Sequence, residues 1–164
     1  WLARMIEGGE DVKFIARRML ILSSEDIGNA NPTALIMANN TFQAVTTIGY
    51  PESRILLSQC AIYLATSAKS NASYMAIGKA QQVVKQTGDL PVPIHLRNAP
   101  TKLMKELGYG EEYKYSHDFA NNFAEQEFLP TDISETTFFE PGENAREREI
   151  RQFLKNRWKN KYGY

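Results

Sequence analysis

Apolar residues recur at helical spacing along the first half of the chain. Ile15, Met19 and Leu22 lie at i, i+4 and i+7 behind Asp11, whose carboxylate suits an N-cap. This pattern predicts an amphipathic helix that ends near Ser24. An apolar helical pattern also opens the chain at residues 1–6 and stops at two glycines.

Three more helices are predicted from their start and stop residues. Asn31 followed by Pro32 is a cap and a first helical residue, and Ser70 or Asn71 is a cap for a later helix. The predicted ranges are about 31–49, 51–65 and 72–87, with glycines after the first and third. No alternation of strands and helices appears, so the pattern predicts a mainly α, bundle-like domain.

The second half of the chain lacks the regular helical pattern of the first half. Pro91, Pro93 and Pro100 favour extended backbone, and a short helix is predicted over 100–107. Residues 109–139 show no sustained periodicity but are rich in aromatics, so we expect an irregular segment that packs on helices. A last helix is predicted after Gly142, where Asn144 and Glu147 form a capping pair, and its apolar stripe consists of Ile150, Phe153, Leu154 and Trp158.

The composition limits the classes of partner, covalent bond and location that the chain can have. Lys plus Arg and Asp plus Glu number 19 each, so net charge favours neither nucleic acid nor a membrane surface as a partner. Cys60 is the only cysteine, so no internal disulfide can form. No apolar run is long enough to span a membrane, and we expect a cytoplasmic protein.

Residues that could carry chemistry are scattered. Gly78-Lys79 falls inside a predicted helix, where it cannot wrap a phosphate, and no phosphate-binding loop occurs elsewhere. His95, His117 and Cys60 have no ligand spacing for a metal. We therefore assign no catalytic, cofactor-binding or metal-binding residue.

Basic residues are the remaining candidates for contact. Lys102 and Lys105 share one face of the short helix, with Arg97 just before it. Arg17 and Arg18 lie on the first amphipathic helix, where they could also pair with the acids at 25–26. These five residues are the candidate contacts with another subunit or with DNA, and solvated helix faces remain the alternative.

Three stretches carry a family resemblance. They are Ile15-Ala16-Arg17-Arg18-Met19 with 24–32 (SEDIGNANP), 63–65 (YLA) with 69–72 (KSNA), and 92–105 (VPIHLRNAPTKLMK). The chain thereby resembles the replication-associated recombination protein A group, also called MgsA, which includes the Werner-helicase-interacting protein. The resemblance covers nearly the whole chain and is loose only from about Glu143.

The resemblance implies a role in a larger protein. Members of the group are similar to clamp-loader-related AAA+ ATPases that act at stalled forks in DNA replication, repair and recombination. ATP and Mg²⁺ are expected in an N-terminal module, which fits a chain that starts inside a helical pattern without Met. Residues 1–23 would end the AAA+-associated helical segment, and 24–164 would form a helical C-terminal collar that makes a homotetramer.

The resemblance also suggests partners and leaves alternatives open. DNA is expected through the parent protein, single-strand-binding protein and other replication proteins are further expected partners, and the location implied is the nucleoid. No catalytic residue is carried over to this region. Beside an oligomerisation domain, the residues leave open an autonomous DNA-binding module and, more remotely, a small enzyme using His95 and His117.

Overall fold

The computed structural model describes all residues, 1–164, and contains seven α-helices and no strand. The helices are α1 Leu2–Glu7, α2 Val12–Leu22, α3 Thr33–Ile48, α4 Ser53–Ala65, α5 Ala72–Thr87, α6 Lys102–Glu106 and α7 Ala145–Trp158. The predicted mainly α fold is therefore confirmed. None of the seven helices combines the length and the apolar character that a membrane-spanning helix requires.

The chain divides into two compact units. The first unit consists of Trp1–Gly78 with Phe139–Arg151, and the second of Lys79–Phe138 with Gln152–Tyr164. Helices α5 and α7 each contribute residues to both units. The functional division at residues 23 and 24, which the family resemblance implies, stays a prediction.

Helices α2, α3 and α4 form the core of the first unit. One buried cluster joins Val12 and Ile15 of α2 to Val45 of α3 and Leu57 of α4. A second cluster lies around Ile27 and contains Ala34, Ala38, Cys60 and Leu64. Burial of these apolar faces stabilises helices that would be marginal in isolation.

The end of α2 continues into a tight irregular turn. Ser23–Ile27 forms one turn of π-helix, and Gly28 follows with φ +51°. A Cβ at Gly28 would lie 2.8 Å from the carbonyl oxygen of Ser70, so only glycine fits there. The Ser70 N–H donates to the Asp26 carbonyl at 2.8 Å, which fixes the start of α5 beside this turn.

Of the caps predicted at the starts of α2, α3 and α5, two are confirmed and the one at α3 is wrong. The Asp11 carboxylate accepts from the backbone N–H groups of the first turn of α2, and the Ser70 hydroxyl accepts from the Ala72 N–H. Asn31 does not cap α3, because its side chain donates instead to Tyr63 Oη at 3.2 Å and Ser67 Oγ at 3.0 Å. It joins the start of α3 to the end of α4.

The second unit is mostly irregular, as the lack of periodicity predicts. Only α6 and four short 3₁₀ turns interrupt its loops between Gly88 and Phe138. Trp158 packs edge-on against Phe123, with ring centroids 4.9 Å apart, and against Tyr162 at 5.0 Å. Phe153, predicted to belong to the apolar stripe of α7, is half exposed instead, and Arg157 stacks on its ring at 3.6 Å.

Candidate functional site: an uncharged apolar surface

The first unit contains a long segment with very little charge. Between Ile27 and Gly78 the only charged residues are Glu52, Arg54 and Lys69. A solvated helix surface normally carries many charges, whereas the centres of protein interfaces are depleted in them. The exposed faces of α3, α4 and the start of α5 therefore have the composition of an interface.

A groove opens between α2, α3 and the start of α5. It has a volume of about 910 Å³, and its apolar walls consist of Leu20, Ile21, Leu35, Ile36, Tyr74 and Ile77. Glu25 is the only charged residue that lines it. Ile36 is 61% exposed and Ile77 is 58% exposed, so large apolar side chains here face solvent. Such a surface is typical of a site that another protein covers.

The outer face of α4 is a second exposed apolar surface. Its inner face buries Leu57, Cys60 and Leu64, while Ile55 and Ile62 point outward with 58% and 63% exposure. Arg54 is the only charged residue of the helix. The sequence predicts a helix here. It does not reveal that the inner face is buried while the equally apolar outer face stays exposed.

Helix α5 has no buried residue at all, although it is 16 residues long. Its apolar residues Tyr74, Met75, Ile77 and Val84 are all exposed. Because packing of an apolar face supplies most of the stability of a protein helix, α5 is typical of a helix that packs on a further chain.

A buried carboxylate holds the first unit together near the start of α5. Glu147 of α7 is fully buried and accepts hydrogen bonds from Ser70 Oγ at 2.9 Å, the Gly142 N–H at 2.7 Å and Asn144 Nδ2 at 3.0 Å. Asn144 Oδ1 in turn accepts from the Glu147 N–H at 2.9 Å, so the predicted capping pair is confirmed. The bond to Ser70 joins residues 77 positions apart, which sequence spacing does not reveal.

The five predicted basic contacts belong to different units. Arg17 and Arg18 belong to the first unit and the other three to the second. Arg17 lies over the Phe14 ring at 5.4 Å. Arg18 lines a small hollow of about 260 Å³ together with Glu25 and Asp26, the two acids whose place in the sequence suggests an arginine partner.

The three basic residues near α6 differ from one another. Arg97 donates through Nε to the Val92 carbonyl at 2.7 Å and lies over the Tyr109 ring at 5.1 Å, so it braces its own segment. Lys102 forms an exposed ion pair with Glu106 at 3.7 Å. Lys105 is exposed on the same short helix. Two of these three cations thus have partners within the chain.

The remaining candidates for chemistry have structural surroundings. His95 Nε2 lies 2.8 Å from the Glu127 carbonyl oxygen, and the His117 ring packs against Tyr115 at 5.1 Å. Burial raises the pKa of the Cys60 thiol despite a hydrogen bond with Thr41. Gly78-Lys79 lies inside α5, as predicted. No three His, Cys, Asp or Glu side chains are placed to hold a metal ion.

Comparison with known proteins gives a consistent result. The family model described as "MgsA AAA+ ATPase C terminal" matches residues 1–158. Replication-associated recombination protein A of Escherichia coli is 43% identical over 94% of this chain and 35% of its own length, and that of Coxiella burnetii is 42% identical over the same shares. The ATPase WRNIP1 of Dictyostelium discoideum is 44% identical over 85% of this chain and 16% of its own length.

The chain spans about a third of the length of the bacterial relatives it matches. The family match includes α1–α7 and both exposed apolar surfaces. The chain therefore belongs to the family formed by the C-terminal regions of MgsA AAA+ ATPases.

Proposed function

We propose that this chain is the self-assembly part of an AAA+ ATPase that acts in replication-associated recombination. In this proposal the helical C-terminal region forms a collar that holds four ATPase modules together, while ATP and Mg²⁺ bind in a different module of the parent protein. DNA is engaged through the parent at stalled forks, with replication proteins and single-strand-binding protein as partners. The chain itself catalyses no reaction.

The uncharged, exposed apolar surface of the first unit is the observation that supports self-assembly. The exposed side chains of α3, α4 and α5 include Leu35, Ile36, Ile55, Ile62, Tyr74 and Ile77. A nucleic acid would be expected to meet Lys and Arg at its phosphates, and none lines the groove. A protein surface of the same apolar character fits it better.

An autonomous DNA-binding module has less support. Residues 152–164 carry four Lys or Arg and no Asp or Glu. Two of these cations are paired, however, because Lys161 meets Glu127 at 2.9 Å and Lys159 meets Glu125 at 3.7 Å. The positive charge of residues 152–164 is therefore partly neutralised within the chain.

Sedimentation equilibrium of the 164-residue chain tests the proposal. We expect an assembly whose mass is a multiple of 18.6 kDa and which dissociates on dilution. A mass that stays at 18.6 kDa up to high micromolar concentration would contradict it. The Leu103→Lys variant is the matched control, since Leu103 is exposed on α6 and lies outside both apolar surfaces of the first unit.

A further inference from the structure

We propose that copies of this chain assemble head to tail, with the outer face of α4 from one copy packed into the groove between α2, α3 and α5 of the next. This inference rests on the proposed self-assembly and specifies its geometry. It assigns the two exposed apolar surfaces of the first unit to each other as partners.

The two surfaces have different shapes and are made of different residues. The groove is concave and is lined by residues of α2, α3 and α5. The other surface is the ridge of a single helix, with Ile55 and Ile62 exposed. A ridge and a groove are complementary in the way that side chains of one helix pack between those of others. Two grooves would enclose unfilled space, and contact between two α4 ridges would leave both grooves exposed.

The spacing on α4 suits insertion into such a groove. Ile55 and Ile62 are seven residues apart, so they lie on one face about 10.5 Å apart along the helix. Small or uncharged polar residues, Ser58 and Gln59, occupy the turn between them. The ridge can therefore bury two isoleucines against apolar walls without burying a charge between them.

Charge favours the same pairing. The only charged residue on α4 is Arg54, and the only charged residue that lines the groove is Glu25. Pairing the ridge with the groove offers one opposite-charge contact at the edge of the interface. Contacts of ridge with ridge or groove with groove offer only like charges, because each surface contains a single charged residue.

The pairing has a consequence for symmetry. A contact between two different surfaces is heterologous, and repeated copies close into a ring if the rotation between neighbours permits it. Every copy in a closed ring has both surfaces covered. Four copies related by one fourfold axis would hold four ATPase modules on one side of a collar.

Complementary variants test this arrangement. Ile36→Lys places a charge in the groove, and Ile62→Lys places one on the ridge. Ile36 and Ile62 are 61% and 63% exposed, so each variant is expected to fold, which far-UV circular dichroism and the urea midpoint check. Ile77→Lys and Ile55→Lys form a second pair of variants on the same two surfaces.

Each variant alone is expected to be a monomer, because every head-to-tail contact needs one groove and one ridge. An equimolar mixture is expected to form 1:1 dimers, since the intact ridge of the groove variant meets the intact groove of the ridge variant. Sedimentation velocity on both samples and on the mixture measures these masses. Leu103→Lys should assemble as the unmodified chain does.

Other outcomes distinguish failure of the head-to-tail pairing from failure of the proposed self-assembly. If each variant alone is dimeric and the mixture forms no mixed species, the contacts join like surfaces and the head-to-tail pairing is wrong while self-assembly stands. Monomeric variants that give no dimer on mixing also overturn the pairing. If the unmodified chain is itself monomeric at high micromolar concentration, the proposed function fails as well.

The charged pair provides an independent readout. We expect Arg54→Glu and Glu25→Arg each to raise the dissociation constant of assembly by about tenfold, since each creates a like-charge contact at the interface edge. The variant with both changes should recover most of the loss. Absence of recovery would overturn the contact between Arg54 and Glu25 and with it the proposed register.

Discussion

The two units of the chain hold themselves together by different means. In the first unit, helices bury aliphatic side chains such as Ile15, Val45 and Leu57 in shared clusters. In the second, Ala124 and Gln126 are the only buried side chains, and edge-on aromatic pairs around Trp158 supply much of the packing. Regular packing of α4 covers one face and leaves Ile55 and Ile62 exposed on the other, whereas the irregular loops pack through aromatic side chains.

The polar contacts of the two units differ in the same way. Glu147 in the first unit is fully buried among neutral donors. Glu127 in the second unit accepts from the Phe128 and Leu129 N–H groups and pairs with Lys161 at the surface. A buried carboxylate depends on every one of its hydrogen bonds, whereas a partly exposed one is also solvated by water.

The largest expected effect comes from removing the buried carboxylate. Glu147→Ala would leave the partly buried donors of Ser70, Gly142 and Asn144 without their acceptor and would open a cavity at a fully buried position, so we expect a loss of about 3 kcal/mol of unfolding free energy. Urea denaturation followed by circular dichroism measures it. Glu149→Ala, at an exposed position of the same helix, should change stability by less than about 0.5 kcal/mol. Equal losses of unfolding free energy for the two changes would show that the burial of Glu147 does not cause the loss.

The fold of the first unit could largely be predicted from the sequence. Helix periodicity and end residues place α2 and α5 to within a few residues, because both signals are local. Asn31 shows the limit of local reasoning, since its preference for a cap position is overridden by Tyr63 and Ser67 more than 30 residues away. The bond between Ser70 and Glu147 is hidden for the same reason.

The candidate site was harder to predict than the fold. Periodicity assigns an apolar residue to a helix but does not show which of two apolar faces the core covers, as with Leu57 and Ile55 on α4. The scarcity of charge from Ile27 to Gly78 was a usable signal in the sequence. Arg97 stays a predicted contact, and its guanidinium also donates to a carbonyl of its own segment.

A smaller effect is expected from the aromatic cluster of the second unit. Trp158→Ala removes ring contacts with Phe123, Phe128 and Tyr162, each worth about 0.5–1.5 kcal/mol beyond the area it buries. We expect a loss of about 2 kcal/mol and a weaker near-UV circular dichroism signal, with helix content from α2 to α4 retained. Trp1→Ala is the control, because Trp1 is 93% exposed. Loss of the helical signal of α2 to α4 as well would show that the first unit does not stay folded without the aromatic cluster of the second.

The smallest expected effect distinguishes two ion pairs of the second unit. Partial burial alone would raise the pKa of Glu127, but hydrogen bonds from the Leu129 N–H and from Lys161 together outweigh it and hold the pKa below its ordinary value. Burial alone would lower the pKa of Lys161, but its contacts with Glu127 and Tyr162 together outweigh this and raise the pKa. The pair Glu125–Lys159 is longer and more exposed.

These shifts fix the sign of the pH dependence. A lowered pKa of Glu127 in the folded state gives stability that is present above its unfolded pKa of about 4.3 and is lost as pH falls through the folded value. A raised pKa of Lys161 gives stability that is present below about 10.4 and is lost as pH rises through its folded value. Glu127→Gln should therefore cost less than about 1 kcal/mol at pH 7 and progressively less as the pH falls below about 4.3, whereas Glu125→Gln should cost little throughout this range. Urea midpoints of the three proteins between pH 3 and 8 measure this, and a Glu127→Gln deficit that does not shrink in acid would show that neutral hydrogen bonds, not charge, hold this part of the second unit.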